Sequence, residues 1–372
     1  MLIFARQILK MARVLKSIFI VLFALITSSN LLKASDEQAK VDTISEKKFN
    51  TGNLIFDHIK DSYEWHIAKV GHTHISVPLP ILLYSSQSGV HIFMSGKFHH
   101  GTETYKGFKI ASEGKYEGKI IEVLVDGTEV KPWDFSITKN VTSLFVSIFL
   151  LITIFLSIAK RYGKNYAVAP KGLQSWIEPL VIYVRDDIAK PSIGKDYEKY
   201  LPYLLTAFFF IFINNLLGLV PFIPGGVNLT GNISITVVLA LFTFAITSLS
   251  GSRDYWVHLV NASGIPWWLK FPFPLMPIVE ILGIFLKPFV LAIRLFANIT
   301  AGHIVVLAFY CLIFIFAEKS QFAAYGVSVV SIAFTVFMGL LELLVAFIQA
   351  YVFTLLSALY FGMALVKHEH HT

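Results

Sequence analysis

Arg294 stands in the run Leu291-Ala-Ile-Arg-Leu-Phe-Ala-Asn298, and no charged residue follows it until Glu318. A guanidinium keeps its proton at any physiological pH, and one placed mid-way along a lipid-facing helix costs at least ~2.5 kcal/mol on insertion scales. Charges of this kind face a partner or a water-filled cavity, so the position points to function. Glu280, Lys287 and Arg294 recur every seven residues, which is nearly two whole helical turns, and they therefore line one stripe.

The second long apolar segment, residues 324–366, has a single charged residue, Glu342, with Gln349 seven positions later on the same face. Between the two segments lies Glu318-Lys-Ser-Gln-Phe322, a polar break short enough to make an antiparallel helical hairpin. Folding the chain there brings Arg294 level with Gln349 and His303 level with Glu342, both pairs sharing a midpoint near residue 322. The expectation is two stacked polar layers, one Arg/Gln and one His/Glu, with Glu280 nearer the far end. Such layering suits proton movement, because histidine titrates near neutrality and a buried carboxylate is pushed toward neutrality. Arg294 suits the opposite role, a fixed positive charge that holds a passing carboxylate ionised.

Arg-Leu-Phe-Ala-Asn-Ile-Thr-Ala-Gly-His over 294–303, together with Glu-Leu-Leu-Val-Ala-Phe-Ile-Gln-Ala-Tyr-Val-Phe-Thr-Leu-Leu over 342–356, resembles subunit a of the F-type ATP synthases, the membrane stator that faces a rotating c-ring. The resemblance extends more loosely from residue 141 to the C-terminus. It implies that Arg294 holds the family's essential arginine position, facing the c-ring carboxylate, with Gln349 as its partner. It also implies that Asn298, His303 and Glu342 belong to a half-channel open to the outside, and Glu280 to one open to the cytoplasm. Some bacterial members carry Glu and His where this chain has His303 and Glu342, an exchange that preserves a level pair. Gly218 and Gly283 depart from the family pattern, standing where some bacterial members have aspartate and serine. The implied partners are the c-ring proteolipid, the peripheral-stalk b subunits and, indirectly, the soluble ATPase head, in a bacterial inner membrane.

The elements that must position these residues follow from composition. Of 372 residues, 55% are hydrophobic and 15% charged, which is too apolar for an ordinary soluble enzyme. The net charge of +7 fits membrane orientation, and no nucleic-acid module is visible. Gly-x4-Gly-Lys-Ser/Thr, His-Glu-x-x-His and Gly-x-Ser-x-Gly patterns are not found, so the chain reads as a non-catalytic subunit without cofactor or metal, ATP chemistry belonging to a partner. The lone Cys311 provides neither a disulfide framework nor a metal site; it reads as lipid-facing or as core filler.

Residues 1–34 begin with Arg6, Lys10, Arg13 and Lys16 and continue into a short apolar run, the pattern of a signal peptide or, alternatively, of a short uncleaved anchor. Residues 35–139 contain no spanning segment and read as a small exported α+β domain: weakly helical over 53–67, with short strands over 77–93 and 108–130. Its histidines, among them His66, His72, His74, His91, His99 and His100, lack tight ligand spacing and read as surface or hydrogen-bonded groups. The domain is expected to lie near the channel mouth or to bind a stator neighbour.

Residues 140–372 form the membrane proton-channel domain. Residues 140–159 are uncharged and long enough for one crossing; Lys160, Arg161, Lys164 and Lys171 follow, placing that end in the cytoplasm and the preceding domain outside. An amphipathic piece near 173–184 is expected along the interface or against a soluble partner, then a polar connector over 186–199. Crossings at 201–220 and 233–250 flank a Gly/Pro-rich break, and Asn214 and Asn215 either line a water path or join neighbouring helices. The last two segments are too long to stand upright, so they tilt strongly or bend at Pro288. The fold class is thus an all-α polytopic membrane protein with five spanning helices, a long tilted C-terminal hairpin and a cytoplasmic C-terminus. Two other readings fit the buried charges: a secondary transporter whose Arg and Glu bind an anionic substrate, and a scaffold whose charges only hold helices together.

Overall fold

The computed structural model describes residues 60–70, 73–101, 103–112, 114–124, 127–164, 172–220, 227, 229–260 and 275–365. The expected signal peptide and the C-terminal tail lie outside them. The described residues form two compact units, one β-rich and running up to Val146, the other helical, from Ser147 to Leu216 and from Thr230 onward.

In the first unit, strands β1 (Glu64–Val70) and β2 (Thr73–Pro78) make an antiparallel pair with a bulge between His66 and Ala68. Helix was expected up to residue 67; Glu64 to Ile67 is strand instead, and 53–59 lies outside the described residues. Antiparallel pairing with Thr73–Pro78 decides the matter, since a paired strand outcompetes a weak local helix preference. Strands β3 (Pro80–Ser85), β4 (Gly89–Met94), β5 (Phe108–Ile110), β6 (Ile120–Val123), β7 (Glu129–Val130) and β8 (Trp133–Asp134) fall where period-two alternation put strands, or just beyond. They form two three-stranded sheets, β4-β3-β8 and β5-β6-β7.

The Lys106-Gly107 turn joins Tyr105 to Phe108 with both central residues at positive φ, 52° and 81°, which only a primed hairpin turn demands and glycine meets without strain. Tyr63, Ile81, Leu83, Phe93, Phe98, Phe108 and Ile120 make the core of this unit. Tyr63 donates to Asp134 at 2.5 Å; burial, and then that carboxylate, push the phenol well above its ordinary range, so it stays a donor.

Helix α1 (Lys139–Lys164) starts where the sheet ends, its first amides bonded to the Ser62 carbonyl and the Asp61 carboxylate. After α2 (Leu173–Tyr183) comes a π-helical turn at Val184–Ala189, then α3 (Lys190–Ile193), one 3-10 turn and α4 (Tyr197–Leu219). The polar connector expected at 186–199 is therefore helical. Asp186 supplies the reason: it pairs with Arg185 at 2.7 Å and with Lys190 at 2.5 Å, so the charges neutralise one another within a turn while Val184, Ile188 and Ala189 are buried.

Helix α5 (Ile233–Ser250) is capped by Asn232, whose side chain accepts from the Ser234 amide. A short α6 (Arg253–Val260) precedes two 45-residue helices, α7 (Leu275–Lys319) and α8 (Gln321–Leu365). Each of these would be ~68 Å long at 1.5 Å per residue, about twice the hydrocarbon thickness. Among the described residues five helical stretches are long and apolar enough to cross a membrane, Lys139–Tyr162, Leu173–Leu219, Ile233–Ser250, Leu282–Ala317 and Ala324–Leu365.

Buried polar groups tie these helices together. Tyr203 bonds Thr243 at 2.7 Å and Thr243 bonds Ser357 at 3.2 Å, linking α4, α5 and α8. Asn215 donates to the Ala346 carbonyl on α8 and accepts from Thr230, so its role is to join helices. Gly362 lets α8 approach the Ser192 carbonyl so closely that any Cβ there would collide with it. Asn215→Leu, which strands the buried Thr230 hydroxyl, should destabilise the helical unit by ~1 kcal/mol. The check is a lower thermal inactivation midpoint in detergent; an unchanged midpoint would remove Asn215 from the helix-joining role.

Candidate functional site

The site is built on the α7–α8 hairpin. Lys319 ends one helix and Gln321 opens the next, with Ser320 at the break, so the chain reverses two residues before the midpoint read from the sequence. Phe309 and Phe334 stack with ring centroids 5.3 Å apart and share the midpoint inferred for the polar pairs. The seam is closed by Leu291, Leu295 and Ile299 of α7 and by Ala346, Ala350 and Phe353 of α8. Cys311 is fully buried, a core filler.

Within this seam His303 Nδ1 and Glu342 Oε1 stand 3.2 Å apart, their side chains 21% and 9% exposed. Gly302 makes room for the carboxylate: a Cβ at that position would fall 3.3 Å from Oε1. A histidine and a carboxyl group in contact at the edge of an apolar seam can exchange a proton with little movement of heavy atoms.

Gln349, two helical turns along α8, is also buried. Arg294 and Asn298, one turn apart on α7, are exposed instead, flanked by the exposed Ile293. Among the described residues no hydrogen bond or ion pair holds Arg294. Its charge reaches Tyr360 of α8, and Lys287 lies 5.5 Å from the centre of the same ring. The structure thus brings His303 and Glu342 together, whereas Gln349 is buried and Arg294 is exposed, with no bond between them among the described residues. Glu280 lies on the first turns of α7, and its side chain is outside the described residues.

Tyr360 was not anticipated from the sequence. Its signal was nonetheless there, since it follows Gln349 by eleven residues, three helical turns, on the face that holds Glu342. Around it a cavity of about 20 Å3, room for about one water, is lined by Thr243, Thr247, Ser248, Tyr255 and Lys287 among others. It lies on the Glu280 side of Arg294 along α7. Asn214 is buried on α4 with its amide donating to Phe210 of its own helix and its carbonyl oxygen without a partner among the described residues.

The family model for the ATP synthase A chain matches residues 141–362. The chain belongs to that family. The match spans Glu280, Arg294, Asn298, His303, Glu342 and Gln349 alike. ATP synthase subunit a 2 of Chlorobaculum tepidum is 46% identical over 256 residues, covering 67% of this chain and 69% of that one. ATP synthase subunit a of Chloroherpeton thalassium is 44% identical over 249 residues, 65% of this chain and 70% of the relative. That of an Anaeromyxobacter species is 42% identical over 278 residues, 71% of this chain and 63% of the relative. Residues 54–135 match a separate domain of unknown function, DUF8433. The chain is therefore a non-catalytic, multi-pass membrane subunit of a proton-translocating ATP synthase, as the sequence resemblance implied.

Contact between His303 and Glu342 makes two predictions for ATP-driven proton pumping in inverted vesicles. In a double-mutant cycle with His303→Ala and Glu342→Gln, the double variant should be little slower than the worse single variant. Gly302→Val, which evicts the carboxylate, should slow pumping about 5- to 30-fold, as a perturbation of 1–2 kcal/mol does. Additive single effects, or a silent Gly302→Val, would separate the pair.

Proposed function

We propose that Arg294 separates two aqueous half-channels and that proton flow between them turns a c-ring lying against the exposed face of α7. The observation that carries this reading is the division of labour within one hairpin. The His303–Glu342 contact lies in the seam, while nine residues away on α7, about two and a half turns, a permanent cation is left open to whatever lies alongside.

Protons are taken up from the outside past His303, Glu342 and Asn298 and load a carboxylate on the c-ring proteolipid. After nearly a full rotation they leave beside Glu280. Gln349 braces the seam at the level of Arg294. A +1/−1 pair at ~4 Å with an effective dielectric near 20 is worth ~4 kcal/mol before desolvation, enough to favour the ionised rotor carboxylate opposite Arg294. That opposes direct passage of a proton from one half-channel to the other. The small cavity beside Lys287 and Tyr360 supports a wet route on the Glu280 side.

In this reading the chain sits in a bacterial inner membrane with peripheral-stalk b subunits beside it and the soluble ATPase head linked indirectly. Lys160 and Arg161 at the end of α1 favour a cytoplasmic location for that end, with residues 35–139 outside, the C-terminus cytoplasmic and residues 1–34 acting as a signal peptide.

Arg294→Ala should abolish coupled ATP synthesis, by at least about two orders of magnitude for a preorganised electrostatic group, while passive proton leak through the membrane sector persists or rises. Synthesis is read in energised vesicles and leak in vesicles stripped of the soluble head. Normal ATP-driven pumping by the variant would overturn the assignment.

A further inference from the structure

The sheet β4-β3-β8 carries large apolar residues on both faces. Its inner face supplies Ile81, Leu83 and Phe93 to the core. On the outer face, where an ordinary solvated sheet alternates to polar residues, two cross-strand rows continue the apolar pattern. Ile92, Leu82 and Phe135 form one row and Val90, Tyr84 and Trp133 the other, as the pairing of Leu82 with Ile92, Tyr84 with Val90 and Tyr84 with Trp133, and the bond from the Phe135 amide to the Leu82 carbonyl, dictate. Ile92 is 66% exposed, Val90 65% and Trp133 62%. No outward position in these rows carries a charge. A contiguous patch of this kind is unusual on a surface that meets only water.

The route of the chain says what covers it. From Trp133 at the end of the patch, six residues lead to Lys139, where the first helix long and apolar enough to cross a membrane among the described residues begins. Six extended residues reach at most ~22 Å, and this stretch has far less freedom than that. The Ile137 amide is bonded to the Pro80 carbonyl, the Lys139 amide to Ser62 and the Asn140 amide to Asp61, so the sheet is clamped to the foot of α1. The sheet is thereby held beside the start of α1, and tryptophan and tyrosine, both present in the patch, are the residues preferred at a membrane–water boundary because their rings are apolar and their N–H or O–H remains wet.

We infer that this outer sheet face rests on the bilayer, with Trp133 and Tyr84 at the headgroup boundary and Ile92 and Val90 toward the acyl chains. The domain of unknown function is then a lipid-surface domain that fixes the foot of α1, where the sequence alone left a place near the channel mouth and a contact with a stator neighbour as alternatives. The inference does not depend on the role of Arg294.

The test uses the assembled complex in vesicles of phosphatidylcholine and phosphatidylglycerol, in a Cys311→Ser background, with a single cysteine from Ile92→Cys or Val90→Cys carrying a polarity-sensitive fluorophore. Lys115→Cys, in an exposed turn of the other sheet, is the reference. Shallow nitroxide lipids should quench the probes at 92 and 90 at least twofold more than the probe at 115, and aqueous iodide should quench them at least twofold less. Probes open to iodide would overturn the inference. So would probes shielded from both quenchers, which would mean that residues 1–59 of this chain or another subunit cover the face.

Discussion

A permanent positive charge exposed on a largely apolar helix is the constraint on which the structure turns. Around Arg294 the exposed residues of α7 include Phe285, Phe289, Val290 and Ile293, none of which can solvate a guanidinium. The chain's own answer is incomplete: a phenol at Tyr360 and an amide at Asn298 soften the surroundings, and no carboxylate of the described residues closes on it. An uncompensated cation at that depth is expensive, whereas one that meets a partner's carboxylate is a binding determinant. Under the proposed function that partner is the carboxylate of a neighbouring subunit.

The remaining architecture keeps that face rigid. Two 45-residue helices pack along a seam that includes the stacked Phe309 and Phe334, and in it Glu342 meets His303. Helix α5 lies against the hairpin, and the Tyr203–Thr243–Ser357 chain and Asn215 fasten α4 to it. Each of these bonds contributes only about 1 kcal/mol, but together they select one register of helices that lipid alone would leave free to slide. Register matters here because a shift of one residue along α8 would rotate Glu342 by about 100° and out of the seam.

Much of this was legible in the sequence for a physical reason. Charge is so costly in apolar helices that each instance is informative, and the level pairing of His303 with Glu342 could be read from two numbers and a turn. What was not legible depended on partners far along the chain or on local neutralisation. Residues 186–199 look polar, yet Asp186 cancels Arg185 and Lys190 and the segment stays helical. Glu64–Val70 has no strong strand signal of its own and becomes strand by pairing with Thr73–Pro78. Arg294 and Gln349 are level as expected, but a long side chain chooses its direction by its surroundings, and nothing in helical periodicity reveals that choice. Tyr360 escaped notice because an aromatic in an apolar helix is ordinarily core, and only Lys287 and Arg294 give it another role.

The claim that α7 presents Arg294 to a rotor is tested most directly by proximity in the intact complex. With Cys311→Ser and Asn298→Cys on this chain and a cysteine placed beside the c-ring carboxylate, mild oxidation should give rapid bridging. A cysteine replacing the highly exposed Leu249 of α5 should give none. Bridging from position 249 with none from 298 would place the rotor against a different face and contradict the account.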